Sequence, residues 1–229
     1  MTNLEKFKEF MIQGDIDRAI DCLDAENFYD ILDYLKENSM KDVTIFFPKI
    51  FDKIPEIYKR SDDAWCFRGN LASTLGHSAP ILEDAVDCYN KALEINPKNA
   101  IALYNKGNAL LRIGLINLPK ANAVDSDEAK FVEPPPIVKE KYKQALEAFE
   151  KYVQIDPNDA TAWREIAGCL AFLGRYEEAL INIEKAIAIK QVDFMIWNVK
   201  WLCLYKLGRF EESDKVWKIM NELGKKGDN

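Results

Sequence analysis

The feature that most constrains this chain is an internal repeat, because self-similarity along a sequence identifies a repeat architecture before any residue chemistry is considered. Three segments share one pattern, in which a small residue is followed by a large apolar residue four positions later and by a further core residue three positions beyond. These segments are residues 85–97, 145–157 and 179–191. The first two end in proline, at Pro97 and Pro157. The spacing predicts an amphipathic helix that is followed by a stop signal.

A second helical pattern precedes each of these segments and occurs once more near the end of the chain. It covers residues 64–76, 102–114, 162–174 and 196–208. In all four stretches a glycine follows the large residue near the start by eleven positions. Glycine adopts positive φ without steric cost, so we expect each of these glycines to end its helix. The predicted unit is therefore a helix, a tight turn and a second helix.

These residues resemble the tetratricopeptide repeat (TPR), whose period is about 34 residues and whose pattern contains Trp, Leu-Gly, Tyr, Ala, Phe and Pro. Trp163 and Trp197 lie 34 residues apart. The resemblance predicts four repeats, at about residues 62–97, 100–157, 160–191 and 194–224. It implies an all-α fold, a right-handed α-solenoid of stacked antiparallel helix pairs. It also implies that the repeat tryptophans Trp65, Trp163, Trp197 and Trp217 pack the two helices of one unit together.

Two parts of the chain depart from the repeat. The second repeat carries a long insertion, residues 115–140, in which Pro134, Pro135 and Pro136 exclude a continuous helix. Plain disorder is the favoured interpretation of this insertion, and a functional lid is the alternative. Residues 1–60 have a helical pattern but match the repeat poorly, so we interpret them as an N-terminal helical extension or a degenerate cap. The TPR array then covers residues 61–229.

Charge and targeting signals limit the classes of partner. The chain has 31 Lys and Arg against 38 Asp and Glu, a net charge of -7. This is the wrong sign for neutralising phosphates, so we expect neither nucleic acid nor an acidic membrane surface as a partner. The N-terminus carries no secretory signal pattern and no apolar stretch approaches the ~20 residues of a membrane span, which predicts a cytoplasmic protein. The five cysteines show no C-x-x-C pair and are interpreted as small apolar residues.

The sequence offers little for catalysis. Its one histidine, His77, lies in a predicted turn and has no triad or metal partner in the pattern. No phosphate-binding glycine motif is present. We therefore predict no catalytic residue, no metal site and no cofactor, and hence a protein that is not an enzyme.

The TPR resemblance implies a concave groove that is lined by the first helix of each repeat and holds an extended peptide. By position, the candidate groove residues are Cys66, Phe67, Asn70, Ser73, Tyr104, Asn105, Asn108, Arg112, Arg164, Glu165, Gly168, Phe172, Asn198, Val199, Leu202, Tyr205 and Lys206. Asparagine suits such a groove, because its amide both donates to and accepts from a peptide backbone.

Two functional hypotheses follow. The preferred one is a scaffold or adaptor that binds a peptide or protein segment in this groove. The alternative is a self-assembling, homo-oligomeric structural protein in which the insertion or the N-terminal extension occupies a groove. Some TPR proteins clamp the C-terminal carboxylate of chaperones with two asparagines and three basic residues. Here the basic places hold Cys66, Thr161 and Glu165, so we predict that such tails do not bind.

Overall fold

The computed structural model describes residues 1–22, 30, 34, 60–75, 78–118, 134–190 and 193–227. Every regular element within these residues is a helix, which confirms the predicted all-α class. The chain divides into two compact units, Met1–Asn99 and Ala100–Asn229. The predicted boundary at residue 60 remains a prediction, because residues 35–59 lie outside the described part.

The first unit contains helices α1 (Asn3–Gln13), α2 (Ile16–Asp21), α3 (Asp62–Leu75) and α4 (Ala79–Ile95). Helix α1 packs against α2, and α3 packs against α4. The side chains of Thr2 and Glu5 form a capping box that satisfies backbone N–H groups at the start of α1. Helices α3 and α4 fall where the first repeat was predicted.

The described residues of the second unit form six helices in three hairpins. The helices are α5 (Ala100–Ile116), α6 (Pro136–Tyr152), α7 (Ala160–Phe172), α8 (Tyr176–Ile189), α9 (Phe194–Lys206) and α10 (Phe210–Gly227). Helices α5, α7 and α9 pack against their own partners α6, α8 and α10. Neighbouring hairpins are joined by contacts of α6 with α7, of α8 with α9 and of α7 with α9. This stack of antiparallel pairs is the arrangement that the repeats predicted.

Small residues on the first helix let an aromatic ring of the second helix approach its backbone. A Cβ atom at Gly107 would lie 2.6 Å from the ring of Phe149, and one at Gly69 would lie 2.7 Å from the ring of Tyr89. Both rings are fully buried. Any side chain at Gly69 or Gly107 would have to displace a ring, so these glycines hold each hairpin together by close packing.

The predicted role of the four turn glycines is only partly correct. Gly174 and Gly208 have φ of 78° and 72°, the left-handed conformation expected just after a helix. Gly114 does not end a helix, since α5 continues to Ile116. It is needed because a Cβ there would lie 2.7 Å from the ring of Tyr142. Gly76, like His77, lies outside the described residues.

The insertion interrupts the second repeat between α5 and α6. Helix α6 begins at Pro136, where the missing backbone N–H of proline does no harm because the first turn has no acceptor for it. The helix therefore includes the last residues of the predicted insertion, from Pro136 onward. Residues 119–133 lie outside the described part of the chain. Among the described helices, none combines the length and apolarity of a membrane span.

Candidate functional site

A cavity of about 410 Å³ lies within the second unit. The first helices of its three hairpins form much of the wall: Leu111 and Leu115 from α5, Gly168 and Phe172 from α7, and Leu202 from α9. The cavity therefore opens on the side of the hairpins where the TPR resemblance implies a groove. It is mostly apolar, which is typical of sites that take up a side chain of a ligand.

An aromatic pair forms one side of the cavity. The rings of Tyr142 on α6 and Phe172 on α7 stack with centroids 3.7 Å apart and planes 9° apart. Burial raises the pKa of Tyr142 to about 12, with smaller contributions from Cys169 and Glu165, so its phenol stays neutral at physiological pH. Tyr142 is in turn held in place by Gly114, which it contacts closely. Because Tyr142 packs between α5 and α7, this wall is fixed before any ligand arrives.

Two charged residues also line the cavity, Glu165 on α7 and Lys206 on α9. The guanidinium of Arg164 donates a hydrogen bond to the carboxylate of Glu165. The site thus combines an apolar interior with one acidic and one basic group. A ligand segment with both apolar and polar character fits this lining better than a purely ionic one.

The cavity brings together six of the predicted groove positions. They come from the third and fourth repeats and are Glu165, Gly168, Phe172, Val199, Leu202 and Lys206. The sequence analysis did not identify the contributions from the second helices and from the insertion, namely Tyr142, Tyr176 and Pro134. Tyr142 occupies an ordinary core position of α6, and Tyr176 is half-buried at the start of α8, so the sequence alone contains no signal that would mark them as lining a cavity.

The other predicted residues of the second repeat lie outside the cavity lining. Tyr104 packs its ring against Phe149 and Tyr152, with centroids 5.7 and 5.1 Å away. Burial raises the pKa of Tyr104, while a hydrogen bond from Asn108 opposes that rise. Asn108 therefore already has a hydrogen-bond partner within the fold. Asn105 and Arg112 are half-buried and also have interaction partners.

Asn70 belongs to the first unit and has a structural partner. The hydroxyl of Tyr89 donates a hydrogen bond of 2.9 Å to its amide oxygen. This bond joins α3 to α4 and fixes the orientation of the Asn70 amide. The structure therefore gives Asn70 a role within its own hairpin, and its predicted role in binding a peptide stays a prediction.

The terminal hairpin exposes an aromatic cluster. Tyr205 is 50% exposed and lies between Trp201 and Phe210, with ring centroids 5.5 and 5.6 Å away. The prediction that Trp217 is a core residue is wrong, because it is 49% exposed. The reason is that the large side chain of Trp201 occupies a position that a small residue, Gly69, Gly107 or Ala167, holds in the other repeats. Two indole rings cannot both fit there, and Trp217 packs beside Trp201 at 5.8 Å. Asn198 is half-buried on the same helix.

The cysteines are buried, as the sequence analysis expected of small apolar residues. Burial raises the pKa of Cys66 and of Cys88 to about 12 and that of Cys203 to about 11. For Cys169, which faces the cavity, burial and the nearby Glu165 also raise the pKa. A thiol that stays protonated at neutral pH is a poor nucleophile.

We accordingly expect these thiols to react slowly with a disulfide reagent such as 5,5′-dithiobis(2-nitrobenzoic acid) at pH 7.5. Adding 6 M guanidinium chloride should accelerate the reaction by at least about 100-fold, because unfolding restores ordinary thiol pKa values and access. The measurement is the absorbance of the released thiolate against time. A thiol that reacts in the folded protein as fast as in the unfolded chain would contradict the described burial.

Within the part of the chain that the structure describes, no cluster of three His, Cys, Asp or Glu side chains has the proximity needed to hold a metal ion.

Comparison with known families agrees with the hairpins and their spacing. A model described as TPR repeat matches residues 82–114, and a model described as tetratricopeptide repeat matches residues 139–200. The chain contains tetratricopeptide repeats. The first match covers the second helix of one hairpin and the first helix of the next, and the second match covers α7 and α8 entirely.

Solved structures resemble this TPR protein in fold. One crystal structure of MamA has a TM-score of 0.62 at 16% identity and covers 98% of this chain and 91% of its own. MamA from Desulfovibrio magneticus RS-1 has a TM-score of 0.62 at 14% identity, and the match covers 99% of this chain and 96% of the MamA chain. YrrB, described as a TPR protein with an unusual peptide-binding site, has a TM-score of 0.54 at 23% identity. That match covers 73% of this chain and 71% of the YrrB chain. Comparison with curated proteins finds no match.

Proposed function

We propose that this TPR protein is a non-enzymatic interaction scaffold that binds an extended segment of another protein in the cavity of its second unit. The observation that carries the proposal is the cavity itself, about 410 Å³ in volume and walled by the first helices of three successive hairpins. A peptide-binding site is named for the TPR protein YrrB, which supports the same class of ligand here.

Preorganisation supports this function. The wall residue Tyr142 is 7% exposed and is fixed between Gly114 and Phe172 before binding. Docking then costs conformational entropy mainly in the ligand, which improves affinity for a flexible segment. A large apolar side chain entering such a pocket supplies much of the binding energy in typical interfaces.

The test is a selection of peptides followed by a substitution that fills the cavity. Peptides of twelve random residues, displayed on phage, are selected on the whole protein, and their affinities are measured by fluorescence anisotropy. The substitution is Gly168→Leu, since a Cβ at Gly168 meets no atom of the described residues within 4 Å and its side chain would extend into the cavity. We expect binding to weaken by at least about tenfold, the loss of about one good apolar contact.

The matched control is Ala188→Leu, an exposed position on α8 outside the cavity lining. It should bind the selected peptides as the unchanged protein does, and both variants should melt at or above the original temperature. The proposal fails if the library yields no binder above background. It also fails if Gly168→Leu binds every selected peptide as tightly as the control does.

Self-assembly is the second hypothesis, and the exposed rings of Tyr205, Phe210 and Trp217 favour it. Large exposed apolar patches are typical of contact surfaces. Residues 119–133 of the insertion, which this hypothesis placed in a groove, lie outside the described chain. Light scattering at two concentrations distinguishes the hypotheses, because a monomeric scaffold keeps one molar mass whereas a self-assembling protein gains mass with concentration.

A further inference from the structure

Four glycines with described surroundings lie inside helices α3, α5 and α7. Three of them let an aromatic ring pack directly against the helix backbone. A Cβ at Gly69, Gly107 or Gly114 would lie 2.7, 2.6 or 2.7 Å from an aromatic ring of the same unit. The rings belong to Tyr89, Phe149 and Tyr142. In each case the missing side chain leaves a flat area of helix backbone on which a ring lies.

Gly168 is different. A Cβ there would meet no atom of the described residues within 4 Å, and its φ is not positive, so neither packing among the described residues nor backbone conformation requires glycine. A glycine inside a helix destabilises it relative to alanine, because the unfolded chain has more freedom to lose. Gly168 lies on the wall of the cavity, in the first helix of its hairpin. Glycine is the residue used where a ligand must approach the backbone closely.

We propose that Gly168 receives an aromatic side chain, phenylalanine or tyrosine, of the bound peptide segment. This inference rests on the proposed function and specifies the side chain that the cavity selects. The ring lies on the backbone of α7 as the rings of Tyr89, Phe149 and Tyr142 lie on the other three glycines. The ligand thus supplies a ring to a helix glycine, as α4 and α6 do for the glycines of α3 and α5.

The surroundings of Gly168 favour a ring over a branched aliphatic side chain. The stacked rings of Tyr142 and Phe172 line the same cavity as Gly168, and so does Leu202 of α9. A ring gains edge-to-face contacts with such a pair beyond the burial of its area. A planar side chain also reaches a Cβ-free backbone more closely than an isobutyl group, whose methyl groups project to both sides.

The experiment uses two small probes, N-acetyl-phenylalanine amide and N-acetyl-leucine amide, with the ¹⁵N-labelled whole protein. Backbone amide shifts are followed by two-dimensional NMR during titration. We expect the phenylalanine probe to shift the amides of Gly168 and Cys169 saturably, and the leucine probe to bind at least fivefold more weakly. In the variant Gly168→Ala the phenylalanine probe should lose at least fivefold in affinity, while the melting temperature stays the same or rises.

The peptides selected on the whole protein separate this inference from the proposed function. Replacing their aromatic residue by leucine should weaken binding at least fivefold. If peptides bind in the cavity but have no aromatic residue, or tolerate leucine without loss, the inference is wrong and the proposed function stands. If no peptide binds, both fail. If Gly168→Ala lowers the melting temperature, glycine serves the fold and the inference is overturned.

Discussion

Replacing Phe149 by alanine is expected to lower the free energy of unfolding of this protein by about 3–5 kcal/mol. The Phe149 ring is fully buried, lies on the backbone of α5 at Gly107 and meets the ring of Tyr104 edge to face at 5.7 Å. Its removal leaves a cavity between α5 and α6, which neighbouring side chains fill only in part. Urea denaturation followed by circular dichroism measures the loss.

A double-mutant cycle tests the reason for this effect. Alone, Gly107→Ala should destabilise the protein by about 1–3 kcal/mol, since its Cβ would lie 2.6 Å from the Phe149 ring. In the Phe149→Ala background the same change should be neutral or stabilising, because the clash is gone and alanine favours the helix. Additive effects of the two substitutions would contradict the contact. The matched change Gly168→Ala, where no atom lies near, should not destabilise the protein in either background.

Removing the terminal hairpin, residues 194–229, is expected to lower the melting temperature by roughly 10 °C, which corresponds to several kcal/mol in a chain of this length. Helix α9 packs against both α7 and α8. A core cluster of Leu204, Val216 and Met220 includes contacts with Leu180 of α8. Deletion exposes Leu180 and its neighbours to water, and in repeat proteins each lost interface between neighbours lowers stability. Thermal unfolding followed by circular dichroism measures the effect.

A point substitution provides a second measurement of the same interface. Leu204→Ala keeps the hairpin but removes most of a side chain that is 2% exposed, so it should destabilise the protein by about 2–4 kcal/mol. The deletion and the substitution should change stability in the same direction. A truncated protein that melts at the original temperature would show that the earlier hairpins do not depend on the last one.

The hairpins could be predicted from the sequence because their information is local. Apolar spacing and Pro or Gly at the ends specify each helix, and the repeated period places the helices in pairs. The pair formed by a glycine and a ring, Gly69 with Tyr89 and Gly107 with Phe149, occurs at matching places in the first two repeats. Register within the repeat was therefore enough to predict the order of the helices.

The errors concern contacts between residues that are distant in sequence. Gly114 matches the turn glycines Gly174 and Gly208 by position, but the ring of Tyr142 uses it for packing instead. Trp217 matches a core position, but Trp201 occupies the space it would need. In each case a single large side chain on the other helix changes the outcome, and such pairs are visible only when the helices are placed together.

The candidate site shows the same limit. The resemblance placed Gly168 and Phe172 on the groove side, and the structure puts both in the wall of the cavity. It could not show that Tyr104, Asn108 and Asn70 already have partners in the fold. Nor could it show that a Cβ at Gly168 would meet no atom of the described residues within 4 Å, because the absence of a neighbour leaves no pattern in a sequence.

The most direct test of the central claim, that a peptide docks in the cavity of the second unit, is photo-crosslinking. A selected peptide carries benzoyl-phenylalanine in place of its aromatic residue, and after irradiation the linked residues are identified by digestion with trypsin and mass spectrometry. The account predicts crosslinks to the tryptic fragments 165–175 and 201–206, which contain the wall residues of α7 and α9. Crosslinks confined to the exposed faces of α8 and α10 would contradict it.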